Sequence, residues 1–307
     1  MENYAAPFWL PGGHVQTIVA SLLPAPRVAW RRERWDTPDG DFIDLDWAEP
    51  ANSPAGAPLV ALFHGLEGSS ASQYARHVAR RLLEAGWRCV VPHFRGCSGE
   101  LNRLPRAYHS GDSDEVAWIL RRLEARFAVG VSLGGNALLK YLGERGSAAT
   151  VERAVAVSAP LDLAAAGRAL GRGLNKAVYA RMFLRTLRRK SIEKDARHPG
   201  LFDVVRARAA DTLWEFDDAV TAPLHGFQGA DDYYERSSSA RWLAGIRVPT
   251  LVLNARNDPF LPVATLLHLR GAPSNVLLEF PATGGHVGFP GRGRWLSRRI
   301  FEYLSAS

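Results

Sequence analysis

Apolar residues along this chain fall into short continuous runs, most of them followed by a longer stretch in which they recur every three or four positions. The runs are Leu59 to Phe63, Arg88 to Val91, Phe127 to Val131, Arg153 to Val157, Thr250 to Leu253 and Val276 to Phe280. Continuous apolar runs of this length read as strands covered on both faces, as in a parallel sheet. The helix-like stretches are Ser72 to Ala85, about Asp112 to Glu124, Asn136 to Gly143, Val263 to Leu269 and Arg292 to Leu304. Earlier, Phe42 to Trp47 alternates, with Ile43, Leu45 and Trp47 on one face and Asp44 and Asp46 on the other. That pattern predicts a half-buried antiparallel strand.

After Pro160 the rhythm stops. From about Asp162 to Tyr234 the chain reads as helical and irregular, with no clear strand, and the alternation resumes at Thr250. The expected fold class is therefore α/β, a mostly parallel, doubly wound sheet. Residues 1–161 and 235–307 would form its core, and residues 162–234 a helical cap, or lid, inserted between two strands.

The 307 residues, 47% hydrophobic and 22% charged, exclude wholesale disorder and suffice for a large core without staples. Cys89 and Cys97 are too few for a disulfide framework and lack the partners of a zinc site, so they read as packing residues. No apolar run reaches the ~18 residues of a membrane span, and no charged segment precedes an apolar one in the manner of a secretory signal. The expectation is a cytoplasmic protein. The net charge of +7 comes almost wholly from arginine, since only Lys140, Lys176, Lys190 and Lys194 are lysines. No nucleic-acid-binding motif accompanies it, so a nucleic-acid partner is not expected. Phosphate-cradling glycine motifs are also missing, and no cofactor or metal is expected.

Gly130-Val131-Ser132-Leu133-Gly134 matches G-x-S-x-G where a strand hands over to a helix. A serine held in that sharp turn is exposed, and the flanking glycines let backbones pass where a Cβ would not. A serine hydroxyl needs a base. Among nine histidines, His286 follows the strand ending near Phe280 and so sits at the same sheet edge as Ser132. The imidazole in turn needs a carboxylate. Asp258 follows the strand ending at Leu253, 28 residues before His286; Asp162 is a rival, and Asp231 and Asp232 are weaker ones. The order Ser, Asp, His is that of the α/β-hydrolase fold. Oxyanion donors would be the backbone N–H groups of Leu133 and of Leu66 in the His64-to-Gly68 turn, with His64 shaping that turn.

With these residues assembled, the chain resembles the YheT-like α/β-hydrolases, a family regarded as esterases. The likeness includes His14-Val15-Gln16-Thr17, Asp39 to Trp47, His64 to Ser69, Phe94 to Gly99, Tyr108 to Gly111 and Gly130 to Asn136. It continues through Glu215-Phe216-Asp217, Ala230 to Tyr234, Asn257-Asp258-Pro259-Phe260 and Gly284 to Phe289. One departure is Gly12-Gly13, where the family would carry Asn-Pro. The resemblance implies a serine hydrolase with Ser132, Asp258 and His286 as its triad. It also implies acyl esters or lipids as the substrate class.

Substrate choice should reside in the cap. Met182, Phe183, Trp214, Phe216 and Phe227 are candidates for an acyl pocket, and Tyr179, Met182, Phe183 and Leu187 form an apolar helical stripe. Arg181, Arg185, Arg188, Arg189, Lys190 and Lys194 form a local basic cluster, of which Arg181, Arg185, Arg188 and Lys190 lie largely off that stripe, so a peripheral lipid contact through this helix is a candidate. The function expected is hydrolysis of small-molecule carboxylic esters of short to medium acyl chains. An acyltransferase using the same acyl-enzyme, or a binding protein on a hydrolase fold, stand as alternatives.

Overall fold

A computed structural model describes residues 4–52, 54, 56–267, 269, 272–291 and 294–306. Eight strands form one sheet: β1 (Arg31–Asp36), β2 (Phe42–Ala48), β3 (Leu59–Phe63), β4 (Arg88–Pro92), β5 (Phe127–Val131), β6 (Arg153–Val157), β7 (Thr250–Leu253) and β8 (Val276–Glu279). Their order is β1-β2-β4-β3-β5-β6-β7-β8. From β4 to β8 every neighbour is parallel, and only β2 runs against its two neighbours. The doubly wound α/β architecture is thus present, with an antiparallel edge.

That edge departs from the sequence reading in two ways. First, β1 is a strand although its sequence, Arg-Arg-Glu-Arg-Trp-Asp, has one apolar residue and no usable alternation. Second, β2 is buried along its whole length rather than half-buried. Register explains both, because Arg32 stands opposite Asp46 and Arg34 opposite Asp44. Arg34 holds Asp44 bidentately at 2.7 and 2.9 Å, and Arg32 holds Asp46 at the same distances. Burial by itself would raise the Asp46 pKa; hydrogen bonds from Arg32, His93 and Ser70 outweigh it and hold the carboxyl well below its usual range.

The parallel strands alternate between two cores. Leu59, Ala61 and Phe63 of β3 join one, and Val60 and Leu62 join the other. Helices α3 (Ser113–Leu123) and α4 (Leu133–Arg145) cover the first face. Helices α2 (Gln73–Glu84) and, at the C-terminus, α13 (Trp295–Ser305) cover the second. Cys89 is buried in that second core. The C-terminal helix therefore begins at Trp295; the earlier start expected at Arg292 lies outside the described residues. An N-terminal helix, α1 (Gly12–Leu22), precedes the sheet.

Between β6 and β7 the chain is helical: α5 (Leu163–Leu170), α6 (Gly173–Asn175), α7 (Arg181–Arg197), α8 (Val204–Ala209), α9 (Leu213–Phe216), α10 (Ala222–Leu224) and α11 (Ala230–Ser237). Two π-helical turns, Lys176–Ala180 and Asp217–Thr221, lead into α7 and α10. The insertion has its own apolar cluster, centred on Leu184, Leu213, Phe216 and Val220. A short helix, α12 (Val263–Leu267), links β7 to β8. No described helix is long and apolar enough to cross a membrane.

Candidate active site

In the sheet order, β3 and β5 are neighbours whose following helices, α2 and α4, leave to opposite faces. That is a switch point, where the loops at the carboxyl ends open a crevice. Ser132 sits in it, between β5 and α4, with φ +51° and ψ −119°. A non-glycine residue held there stores strain, of order 1–3 kcal/mol, that the surroundings must fix. They do so by close backbone approach. A Cβ on Gly134 would lie 2.5 Å from the Phe63 carbonyl oxygen, and one on Gly130 would lie 2.5 Å from that of Gly134.

His286 lies in the loop after β8. Its Nε2 is 3.0 Å from Ser132 Oγ, and its Nδ1 is 2.8 Å from Asp258 Oδ2. The Asp258 carboxylate side chain is completely buried, and its Oδ1 accepts from the Phe260 N–H at 2.8 Å. With Nδ1–H donating to the carboxylate, Nε2 is left to accept the serine proton. Asp162 is engaged elsewhere: it caps α5 by accepting from the Ala165 N–H. Asp231 accepts from the Trp214 indole and Asp232 from the Gln228 N–H.

What holds the two loops together comes from α1. Buried Gln16 accepts at Oε1 from both the Asn257 amide and the Gly284 N–H, at 2.9 and 2.8 Å. Thr17 Oγ accepts from the His286 N–H at 2.8 Å. The His14-to-Thr17 motif thus braces the aspartate and histidine loops, a role that residue spacing alone did not reveal. Gly13 lets α1 approach: any Cβ there would fall 1.8 Å from the Asn257 carbonyl oxygen.

The turn after β3 lies directly against the serine, since a Cβ on Gly65 would be 3.2 Å from Ser132 Cβ. Within it the Gly65 N–H donates to the Tyr74 hydroxyl, Glu67 N–H to the Tyr108 hydroxyl and Gly68 N–H to the Gly65 carbonyl. The Leu66 N–H is left without a protein acceptor among the described residues. Leu133 N–H, in the first turn of α4, has no intrahelical partner either. His64 is wholly buried, which pushes its pKa down to about 3. Its Nε2 accepts from the Phe94 N–H, so Nδ1 carries the proton and donates to the Gly65 carbonyl. It shapes the turn as a neutral ring.

A profile of the α/β-hydrolase fold matches residues 58–292. The chain belongs to the α/β-hydrolase family. Among curated relatives, "Putative esterase YheT" of Escherichia coli (strain K12) is 39% identical over 306 residues, covering 95% of this chain and 90% of that protein. "Phospholipase ABHD3" of Mus musculus is 32% identical, covering 99% and 79% respectively. "Monoacylglycerol lipase" of Saccharomyces cerevisiae is 28% identical, covering 89% and 63%. Of solved structures, the Pyrococcus furiosus esterase Pf2001 superposes with a TM-score of 0.59 at 17% identity, covering 90% of this chain and 91% of that one.

In this α/β hydrolase a cavity of about 160 Å³ opens beside Ser132 and His286 and runs under the insertion. Phe183 and Phe216 line it, with Leu163, Leu187 and Val220. Three of the expected pocket residues do not. Met182 is 56% exposed, because it lies about 100° round the helix from Phe183. Trp214 points outward from α9 while Leu213 and Phe216 turn in, and its indole bonds Asp231. Phe227 packs on Tyr233 and His109 behind the cavity wall.

Two of the basic residues expected on the solvated face of α7 turn inward instead. Lys190 Nζ reaches Glu67 Oε1 at 2.7 Å, tying the insertion to the turn beside the serine, and lies 3.6 Å from Cys97 Sγ. Lys194 is buried and donates to Asn102 Oδ1 and the Leu104 and Arg106 carbonyls. Burial pulls its pKa down to about 8. Arg188 bonds the Ala210 carbonyl.

Proposed function

We propose that this α/β hydrolase cleaves carboxylic esters of short- to medium-chain acyl groups through an acyl-enzyme on Ser132. The observation that carries the reading is the Ser132–His286–Asp258 relay, 3.0 and 2.8 Å in its two links, at the mouth of an apolar cavity. His286 Nε2 takes the Ser132 proton as Oγ attacks the ester carbonyl. The developing oxyanion falls to the N–H groups of Leu66 and Leu133. His286 returns the proton to the leaving alcohol, and a water activated the same way releases the acid. Asp258 fixes the imidazole tautomer throughout. Relatives named esterase, phospholipase and lipase support ester chemistry, and the leucine- and phenylalanine-lined cavity suits an acyl chain.

Fluorophosphonate labelling tests it. Wild-type protein should label at Ser132 and hydrolyse nitrophenyl butyrate. Ser132→Ala should lose both, with turnover falling by about 10⁵–10⁶, while its circular dichroism is unchanged. Undiminished labelling of the alanine variant refutes the assignment.

A further inference from the structure

Two stretches of this chain carry basic residues and no acidic ones. Between Glu2 and Glu33 there is no Asp or Glu, nor between Asp162 and Glu193, where eight Arg and Lys residues occur. The fold brings these stretches together. His14 of α1 stacks on Tyr179 of the turn leading into α7, with Nδ1 3.3 Å from its hydroxyl. Ile18 packs on the cluster of Tyr179 and Phe260, and the Phe260 ring lies 4.1 Å from that of His286. Their meeting line is therefore close to the candidate catalytic histidine.

The same two stretches carry apolar side chains that are exposed among the described residues. Phe8 is 97% exposed and Trp9 62%. Val15, Leu22, Leu174, Val178 and Met182 are exposed as well. Leu174, Val178 and Met182 recur every four residues on one helical face, which Arg185 and Arg189 continue. Arg172, Arg181 and Arg185 are exposed and make no ion pair among the described residues. Exposed aromatic and aliphatic residues set among unpaired arginines suit a headgroup layer, which takes the apolar tips and offers phosphate to the guanidinium groups. A second copy of the chain would bring like charge against like. Nucleic acid would leave the leucine, valine and methionine tips unused.

We propose that the face formed by the Phe8–Trp9 segment, α1 and the Leu174–Arg189 side of the insertion docks onto an anionic lipid surface, placing the cavity mouth next to the lipid. The lipid contact thus uses Arg181, Arg185 and Arg189; Lys190 and Lys194 are taken up inside. The test is co-sedimentation with phosphatidylcholine vesicles, with and without phosphatidylglycerol, which reads binding independently of ester turnover. Wild type and Ser132→Ala should both pellet with anionic vesicles at low salt and much less at high salt. Each basic residue near such a surface contributes about fivefold, so Arg181→Gln with Arg185→Gln should weaken binding about 25-fold. Phe8→Ser with Trp9→Ser should weaken it about tenfold at both salt concentrations. The Arg181→Gln/Arg185→Gln and Phe8→Ser/Trp9→Ser variants should retain hydrolysis of a soluble nitrophenyl acetate. Failure of wild type to pellet at low salt overturns the proposal. So does binding that none of these variants changes, or an analytical-ultracentrifugation dimer that the same substitutions dissolve.

Discussion

The sheet rim and the helical insertion treat a buried carboxylate in opposite ways. At the rim, Asp46 accepts from Arg32, His93 and Ser70, and its pKa is driven down in spite of burial. In the insertion, Asp217 lines the cavity with the hydroxyls of Thr221 and Tyr234 as its side-chain partners among the described residues. Burial outweighs those two bonds and pushes its pKa up to about 6. The contrast extends to backbone. Around Ser132 the constraint is main chain against main chain, at distances no side chain can enter; around the cavity it is side chain against side chain. The first region is built to hold one geometry. The second can change its lining without disturbing the first.

If that contrast is right, the largest effects come from the rim. Asp258→Asn keeps the shape of the relay but offers Nδ1 the wrong tautomer partner. Turnover of nitrophenyl butyrate should fall about 10⁴-fold with KM little changed; a loss under tenfold would place the orienting carboxylate elsewhere. Gly134→Ala comes next. Its Cβ meets two backbone carbonyls, those of Phe63 and His64 at 2.5 and 2.6 Å, so neither can yield cheaply. Urea denaturation should show a loss of about 3 kcal/mol. Gly200→Ala, in the insertion, meets nothing within 4 Å and has only its φ of +81° to resist it. It should cost about 1 kcal/mol. Equal costs would erase the distinction between the two regions.

The same division decides what was legible in the sequence. Strands β3 to β7 are apolar runs, and their ends fall within a residue of the expected positions because covering both faces leaves no polar residue inside them beyond the first positions Arg88, Arg153 and Thr250. Strand β1 was invisible, since its residues pair through charge with Asp44 and Asp46, and no periodicity scale counts an arginine as a core residue. Ser132, Asp258 and His286 are legible because each follows a strand that the pattern predicts. Gln16 and Thr17 are legible only as part of a family motif; that they brace those loops depends on how α1 docks, which is set more than 200 residues away in sequence. The insertion was hardest. Helical spacing groups Met182 with Phe183, because a tolerance of three to four residues spans both faces of a helix, and aromatic character alone groups Trp214 and Phe227 with Phe216 without saying which of them turns inward.

A smaller effect should come from the cavity wall. Phe183 lines the cavity from α7 but is only half-buried, so truncation removes volume there without emptying the cluster behind it. Phe183→Ala should move the preferred acyl length of a nitrophenyl ester series upward by two or more carbons. Each added methylene that finds apolar cover is worth about 0.8 kcal/mol, so the longer esters should gain about tenfold in kcat/KM relative to the acetate. Labelling by fluorophosphonate should be unaffected. An unchanged chain-length profile would mean that the acyl group lies elsewhere.

The smallest effect is the most diagnostic of how the insertion handles charge. Because the folded-state pKa of Asp217 is raised to about 6 from an ordinary 3.8, the unfolded chain loses this proton first as pH rises. Below about pH 4 both states hold it and Asp217 carries no penalty; between 4 and 6 stability falls; above 6 the full cost of a buried, uncompensated carboxylate is present. Asp217→Asn removes that cost while keeping an acceptor for Thr221 or Tyr234. The variant should therefore be more stable than wild type at pH 8, by roughly 1 kcal/mol once cavity water is allowed for, and show no gain at pH 4. Asp46→Asn should do the reverse at pH 8, since it strips a carboxylate from three donors at the rim. Urea midpoints of the two variants at both pH values make the comparison directly. If Asp217→Asn destabilised at pH 8 as Asp46→Asn does, the cavity acid would be paid for by a cation the fold does not show, and the two regions would not differ in kind.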